Sequence, residues 1–570
     1  MRTRTGIPER PFRSMLLLAV ILFAILAGRL FHLQIVSGDY YRELSSRNHI
    51  RSVITPAPRG IITDRNGVVL ADNVPSFTVS VVSAEFDTLN TGLLLELLDM
   101  EAPVLSERMA SAASSPFRST VIASGLDVAS AGRVADNLYR LGGVSVTVLP
   151  RRRYSMGESF CHLVGYVGLS DSTGTFEGEI VGRTGLERLF DDHLSGKHGV
   201  IREVVDAHGR LVERFSGGEV SPVPGEDLRL TLDSRLQRAA DSLLEATGYS
   251  GAVVVINYQT GEILCLSSVP GYDTNLFIGG ISREDWNTIL QDPDRPLINR
   301  SWATVYPPGS TFKTVSASWL LQSGIVTRDY MPDPCYRTFR FAGSDFRCWT
   351  THGRLNIVDA LAQSCDTYFY RTTMEADVDQ MAFYARSFGL GSRITDILPA
   401  EAEGTVPDRN YLNSLFGRGG WGQGNLMIAS IGQGELLATP LQVAVTSGLI
   451  ASDFAMPPLT AVQGADPPEP PWEASVSEEN LQTVRDGMLA AVRHSRGTLH
   501  STMGYLTQDV WAKSGTAENS SGEDHAWVTG FIEEPIPIAF AVIVENGGHG
   551  SLVAGPVAAG LIERIGELYP

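Results

Sequence analysis

The stretch Tyr306-Pro307-Pro308-Gly309-Ser310-Thr311-Phe312-Lys313 constrains this chain more than any other. Two prolines and a glycine halt the backbone, and a helical pattern starts at Ser310, with Phe312, Val315, Trp319 and Leu320 apolar and Gly324 as a C-terminal stop. Ser310 is therefore expected at a helix N-terminus, with Lys313 one turn on and on the same face. A serine hydroxyl is a weak nucleophile at neutral pH until a base takes its proton. A lysine in an apolar helix can be driven to its neutral form and serve as that base. Backbone N–H groups at the helix start would face a developing oxyanion.

Four-residue patterns arise by chance, and the bland reading of this one is a capped helix with a surface lysine. The lysine census weighs against it. Among 45 basic residues only Lys197, Lys313 and Lys513 are lysines, and arginine fills every other place. Arginine cannot be deprotonated in a protein and lysine can, so a lysine retained three residues after Ser310 points to an amine that the chemistry needs.

Two further elements join it. Ser364-Cys365-Asp366 ends an apolar-periodic run from Ile357; Ser364 could relay a proton between Lys313 and a leaving amine, and Asp366 could hold the lysine in place. Lys513-Ser514-Gly515-Thr516 lies on a strand pattern after Val510-Trp511-Ala512. There Lys513 offers charge, Ser514 and Thr516 offer donors to a carboxylate, and Gly515 would let a substrate backbone lie close. Each triplet alone reads as ordinary polar residues on a loop or strand. In this order, with two of the three lysines inside them, they read as one active site.

At 570 residues the chain can hold two or more domains. Its net charge of -19 and pI near 5.1 argue against a nucleic-acid partner. Met15 to Val36 is apolar apart from Arg29, His32 and Gln34, long enough to span a bilayer, and preceded by Arg2, Arg4, Arg10 and Arg13. The expected arrangement is a cytoplasmic N-terminus (1–14), one transmembrane helix (15–36), and everything later outside. A signal peptide cut after Ala27 would put Ile25 where a small residue is wanted, so an uncleaved anchor is favoured.

A mixed module of short strands and helices follows, expected over 37–224. In it, Arg59 to Gly67 reads as a hairpin turning at Asn66-Gly67, without chemistry of its own. Arg151-Arg152-Arg153 reads as a solvated or salt-bridged turn, and Gly182 to Glu187 opens an amphipathic helix ending near Gly196. Ser221-Pro222-Val223-Pro224-Gly225 marks a boundary. Beyond it, over 225–570, strand patterns at both ends flank a helical middle, which predicts an α+β domain with one largely antiparallel sheet.

With these residues in hand, the chain resembles the penicillin-binding serine acyltransferases, whose motifs are Ser-x-x-Lys, Ser-x-Asn and Lys-(Thr/Ser)-Gly. It most resembles the elongation-type class B penicillin-binding proteins. The likeness runs from the anchor through Arg59 to Gly67, Gly182 to Glu187, Tyr306 to Lys313, Gly432-Gln433-Gly434 with Thr439-Pro440, and Lys513 to Glu518. Asp366 stands where the wider superfamily has asparagine, and an aspartate is typical of the elongation subfamily.

The resemblance implies a penicillin-binding, serine β-lactamase-like transpeptidase domain, preceded by an elongated pedestal of the dimerisation-domain kind. It implies a single-pass protein of the inner, cytoplasmic membrane with its catalytic domain periplasmic. In the implied reaction, Ser310 attacks the penultimate D-alanine carbonyl of a peptidoglycan stem peptide with Lys313 as base. Ser364 assists proton transfer, and Lys513, Ser514 and Thr516 hold the substrate carboxylate. Backbone N–H groups of Ser310 and Thr516 form the oxyanion hole, and an amine on a neighbouring strand resolves the acyl-enzyme. β-Lactams would acylate Ser310 and stay. The pedestal resembles a docking platform for the polytopic glycosyltransferase of the elongation machinery. The alternatives are a division-type transpeptidase, a D,D-carboxypeptidase, or a non-enzymatic β-lactam sensor or scaffold. A sensor would need a signalling domain where only the short N-terminus precedes the anchor.

No cofactor is implied for catalysis. Cys335, Cys348, His352 and Cys365 nevertheless form a ligand set suited to structural tetrahedral zinc. A Cys335 to Cys348 disulfide or unlinked buried thiols are the open alternatives. Cys161 and Cys265 read as lone buried thiols.

Overall fold

A computed structural model describes residues 9–39, 50–114, 116–117, 119–170, 179–205, 211–214, 219–519 and 522–570. Much of the expected N-terminus, and residues 40–49 of the expected pedestal, lie outside these. The apolar run forms the helix Glu9–Phe31, continued by the π-helical turn His32–Val36. Residues 13–36 are long and apolar enough to cross a membrane, and among the described residues none buries their most apolar stretch.

The chain divides into two compact units that interleave in sequence. The first comprises Met1–Pro58, Pro75–Arg151 and Lys197–Pro224; the second comprises Arg59–Val74, Arg152–Gly196 and Gly225–Pro570. In the first unit, Ile50–Thr55 pairs antiparallel with Gly199–Val205, which pairs with Leu211–Arg214. The later part of strand Val69–Val82 pairs with Ser119–Leu126, and Val79, Val81 and Ile122 bury against Leu94, Leu98, Leu105 and Val134 from helices.

The second unit contains the hairpin expected at Asn66-Gly67, between Ile62–Thr63 and Val69. Its Asp64 accepts from the backbone N–H groups of Asn66 and Val68 and from both the N–H and the hydroxyl of Ser234. The turn therefore helps cap the helix α1, Ser234–Glu245. Arg151 to Arg153 are not a turn but lie in strand Val144–Tyr154. Arg152 is fully buried, and its Nε donates to Glu187 Oε1 at 2.6 Å. Arg59 donates to Glu187 Oε2 at 2.7 Å and to Asp191 Oδ1 at 2.6 Å. The helix expected after Gly182 is two short ones, Gly185–Leu189 and Asp191–Ser195, separated at Phe190.

The centre of this unit is a five-stranded antiparallel sheet built from β1 Gly251–Asn257, β2 Ile263–Val269, β3 Trp511–Ala517, β4 His525–Ile532 and β5 Ile538–Val544, in the order β2-β1-β5-β4-β3. These strands read as nearly unbroken apolar runs because both faces are covered, and successive side chains point to opposite layers. Val253, Val255, Phe540 and Val542 pack with α1 and with the C-terminal helix Ala554–Leu568. Ala252, Val254, Ala539 and Ala541 belong to the other core, with Leu441, Val445 and Leu449 of helix Pro440–Ala451. Strand β3 is left as an edge, and the expected α+β layout is the one observed.

Candidate active site

The nucleophile's element is not a simple helix start. Gly309–Phe312 is a 3₁₀ turn and the α-helix α2 begins only at Lys313, running to Gln322. Residues three apart eclipse in a 3₁₀ turn, so the Ser310-to-Lys313 relation survives the change. Gly309 has φ +56°, and a Cβ there would lie 2.6 Å from the Thr516 carbonyl oxygen. Gly432 is matched to it: its carbonyl accepts from Gly309 N–H at 2.8 Å, and a Cβ would come within 2.0 Å of Gly309 O. The two glycines thus let the nucleophile turn settle between β3 and the 432–434 segment.

Ser310 is half-buried, whereas Lys313 is fully buried. Its Nζ donates to the Ser364 carbonyl at 3.0 Å, to Ser364 Oγ at 3.3 Å and to Asp366 Oδ1 at 2.6 Å. These acceptors come from the junction between α3, Ile357–Ala362, and α4, Asp366–Thr372. Ser364 has φ +52°, a left-handed conformation that costs a serine energy, and its carbonyl is thereby turned toward the lysine.

Lys513 approaches the same hydroxyl from β3, with Nζ 2.9 Å from Ser364 Oγ and 2.7 Å from the Ser514 carbonyl. It is entirely buried, and desolvation together with the nearby Lys313 charge pushes its pKa well below the ordinary lysine value, only partly opposed by Asp366. One hydroxyl therefore joins two amines, one paired with a carboxylate and one held toward neutrality.

The rest of the third motif is less open than its sequence suggests. Ser514 Oγ donates to Thr498 Oγ1 at 2.8 Å. Thr516 is half-buried, and its carbonyl accepts from Gln433 Nε2 at 3.0 Å. The space beside Gly515 is taken by Thr311, Trp527 and the Pro308 carbonyl, all within 3.2 Å of where a Cβ would lie. Gly515 thus admits the nucleophile turn, which is a different reason for a glycine than the substrate approach expected from sequence. Thr498 belongs to no motif; a single polar residue outside any pattern leaves no signal to find it by.

The four expected metal ligands converge, with ligand atoms within 4.8 Å of one another. All five cysteines are free thiols, so Cys335 and Cys348 are not bridged. His352 Nδ1 lies 3.7 Å from Cys335 Sγ and 3.5 Å from Cys348 Sγ. Hydrogen bonding to Cys365 holds the Cys335 and Cys348 thiols below the usual thiol range and pushes Cys365 up. Cys161 and Cys265 lie apart from this cluster and are buried, and burial raises the Cys161 pKa to about 12.

A serine in the 3₁₀ turn before a buried helix, a lysine three residues on and a second lysine sharing one hydroxyl beside an edge strand are an arrangement suited to serine acyl transfer. The penicillin-binding protein transpeptidase domain matches residues 251–563, and the penicillin-binding protein dimerisation domain matches 54–230. Peptidoglycan D,D-transpeptidase MrdA of Escherichia coli K12 is 32% identical, over 96% of this chain and 92% of its own length. MrdA of Acinetobacter baumannii is 33% identical, over 94% of this chain and 84% of its own. Among solved structures, penicillin-binding protein PBP2 of Helicobacter pylori in complex with MreC is similar with a TM-score of 0.79 and 29% identity, covering 91% of this chain and 99% of that one. The chain belongs to the penicillin-binding protein transpeptidase family, in its PBP2-like class B branch.

Proposed function

We infer that the chain is a peptidoglycan D,D-transpeptidase of the elongation type that cross-links stem peptides through an acyl-serine at Ser310. The observation that carries the chemistry is the Ser364 hydroxyl lying between Lys313 and Lys513. Lys313 must be neutral to take the Ser310 proton, and Ser364 offers a path for its extra proton to Lys513. A substrate carboxylate arriving at Lys513, Ser514 and Thr516 would favour that transfer, because a charged Lys513 then gains a counter-ion. Binding and activation are coupled in this way. Ser310 forms the ester bond to the penultimate D-alanine carbonyl, the bond to the terminal D-alanine breaks, and that amine leaves with a proton returned through the same chain. Backbone N–H groups of Ser310 and Thr516 would hold the oxyanion, and an acceptor amine would then displace the serine. β-Lactams would stop at the acyl stage.

In this reading residues 37–224 form the pedestal and 225–570 the transpeptidase, and the helix 15–36 anchors the protein in the cytoplasmic membrane with both outside. The solved relatives include one in complex with MreC and one in a peptidoglycan synthase complex. By likeness to them, the chain works within a complex that coordinates polymerization with crosslinking, and the family resemblance makes the pedestal the docking platform for its polytopic glycosyltransferase. Cys335, Cys348, His352 and Cys365 fit structural zinc: the donor set is the right one, and His352 aims Nδ1 at two of the sulfurs. Zinc there would fix Cys365, and with it the turn carrying Ser364 and Asp366.

The test of function is incubation of the purified protein with pentapeptide-bearing glycan strands. Cross-linked muropeptides, absent with Ser310→Ala, are expected; free D-alanine without cross-links would make the chain a carboxypeptidase. For the metal, elemental analysis should find close to one zinc per chain, and a chelator should lower the melting temperature. A metal-free protein whose melting point ignores both chelator and added zinc would end that assignment.

A further inference from the structure

The nucleophile turn begins at Tyr306, and this tyrosine is held from a part of the chain that none of the three motifs includes. Its hydroxyl donates to Glu545 Oε1 at 2.7 Å, just past the end of β5. The other oxygen of Glu545 accepts from Arg300 Nε at 2.9 Å. Arg300 is itself fixed: its Nη2 donates to the Asp294 carbonyl at 2.6 Å, and its side chain is almost wholly buried. Glu545 therefore has little freedom, and neither does Tyr306, which is 4% exposed, exchanges two backbone hydrogen bonds with Ala438, and packs edge-on to Trp527 and His525. Burial and the Glu545 carboxylate both drive the phenol's pKa well up, so it stays a donor.

The segment that carries Glu545 reaches the third motif as well. Five residues on, Gly550 packs so tightly on β3 that a Cβ would lie 2.0 Å from the Gly515 carbonyl oxygen, and its N–H points to Thr516 Oγ1 at 3.4 Å. Asn546 N–H donates to His525 Nδ1 at 3.1 Å, which fixes the segment between these contacts to β4. Residues 545–550 thus grip the nucleophile turn at one end and the edge strand at the other. The reaction needs those two elements in register, since both contribute to one reacting centre and errors of an ångström cost large factors in rate.

We propose that Glu545 is a positioning residue for Ser310, acting through the Tyr306 hydroxyl and braced by Arg300, so that the segment 545–550 sets the nucleophile turn in register with β3. This rests on the acyl-serine reading above.

The test uses the full chain and three variants, Tyr306→Phe, Glu545→Ala and the two combined. The first removes one oxygen atom and keeps the ring, so it folds where a larger change does not. Acylation by a chromogenic cephalosporin should slow about tenfold in each single variant. In Tyr306→Phe the non-covalent binding constant should stay within about twofold and the melting temperature within a few degrees, whereas Glu545→Ala, which also takes the carboxylate from buried Arg300, should melt lower. The double variant should be no slower than either single one, because both remove the same link. Glu545→Gln, which keeps an acceptor for the phenol, should recover most of the rate. Hydrogen exchange supplies a readout independent of acylation: amides 309–313 should exchange faster in Tyr306→Phe while those of β1 and β5 do not change. Unchanged rates and unchanged exchange in Tyr306→Phe, or additive losses in the double variant, would overturn the proposal. Absence of acylation in the unmodified chain would instead sink the acyl-serine reading, and the exchange experiment would still decide the role of Glu545.

Discussion

Two buried clusters in the same compact unit are built to nearly the same plan and behave in opposite ways. In one, Arg59 and Arg152 converge on Glu187. In the other, Lys313 and Lys513 converge on the Ser364 hydroxyl, with Asp366 paired to Lys313. Each brings two bases to one buried acceptor. The arginines keep their charge at any accessible pH; carboxylate oxygens and the Glu187 and Gly60 carbonyls accept from their forks, and among the described residues only Arg152 Nη2 of the pair is left buried without an acceptor. That cluster can only hold the chain together. A lysine, unlike an arginine, can give up a proton, and desolvation, with the Lys313 charge beside it, holds Lys513 toward neutrality. On the proposed chemistry, the identity of the base, and not the burial or the geometry, separates a brace from a reaction centre. In a chain that uses arginine almost everywhere, two of the three lysines meet at this one hydroxyl.

The comparison is broken most forcefully by exchanging the bases. Lys313→Arg keeps the charge and the Asp366 partner but cannot give up a proton, and stopped-flow acylation should fall about a thousandfold. In the brace, Glu187→Gln leaves Arg152 buried beside a neutral amide. Chemical denaturation should then register a loss of about 3 to 5 kcal/mol, while acylation per folded molecule stays within about twofold. If Glu187→Gln slowed acylation as much as it lowered stability, the two clusters would not be separable.

A subtler effect follows from the protonation of Lys513. Its folded pKa is depressed below the unfolded value, so the unfolded chain binds more protons in the window between the two. Stability should therefore rise with pH through that window, by up to about 1.4 kcal/mol per pH unit, and be lost as pH falls toward the folded value. Lys513→Met should flatten this slope in melting curves taken from neutral to alkaline pH; a slope that persists would mean that Lys513 is charged in the folded protein. The smallest effect belongs to Arg153, whose pairing with Asp72 is exposed. Arg153→Ala should leave the melting temperature unchanged, since surface pairs of this kind contribute little.

Much of this was legible because it is written in local pattern. The turn of Tyr306 to Lys313, the β1–β2 hairpin and the closing strands and helix all announce themselves through prolines, glycines and alternation of apolar residues. The pairing of Asp366 with Lys313 followed from chemistry once both were suspected. What sequence hid was carried by residues far apart in the chain. Arg152, expected on a turn, is instead buried in a strand because Glu187, met 35 positions later, accepts from it. Gly515 serves Thr311 and Pro308, which no spacing announces. Residues 59–74 and 152–196 join the same unit as 225–570, although they precede the Pro-rich boundary near 221–225. A linear boundary marks where the chain changes character, and folding is free to bring earlier segments back across it.

The measurement that tests the central claim most directly is intact-mass spectrometry after brief exposure to a penicillin, on the unmodified chain, Ser310→Ala and Lys313→Arg side by side. One penicilloyl adduct is expected on the unmodified chain, none on Ser310→Ala, and almost none on a Lys313→Arg protein that melts normally. An adduct that persists in Ser310→Ala, or that forms on Lys313→Arg as fast as on the unmodified chain, would contradict that claim.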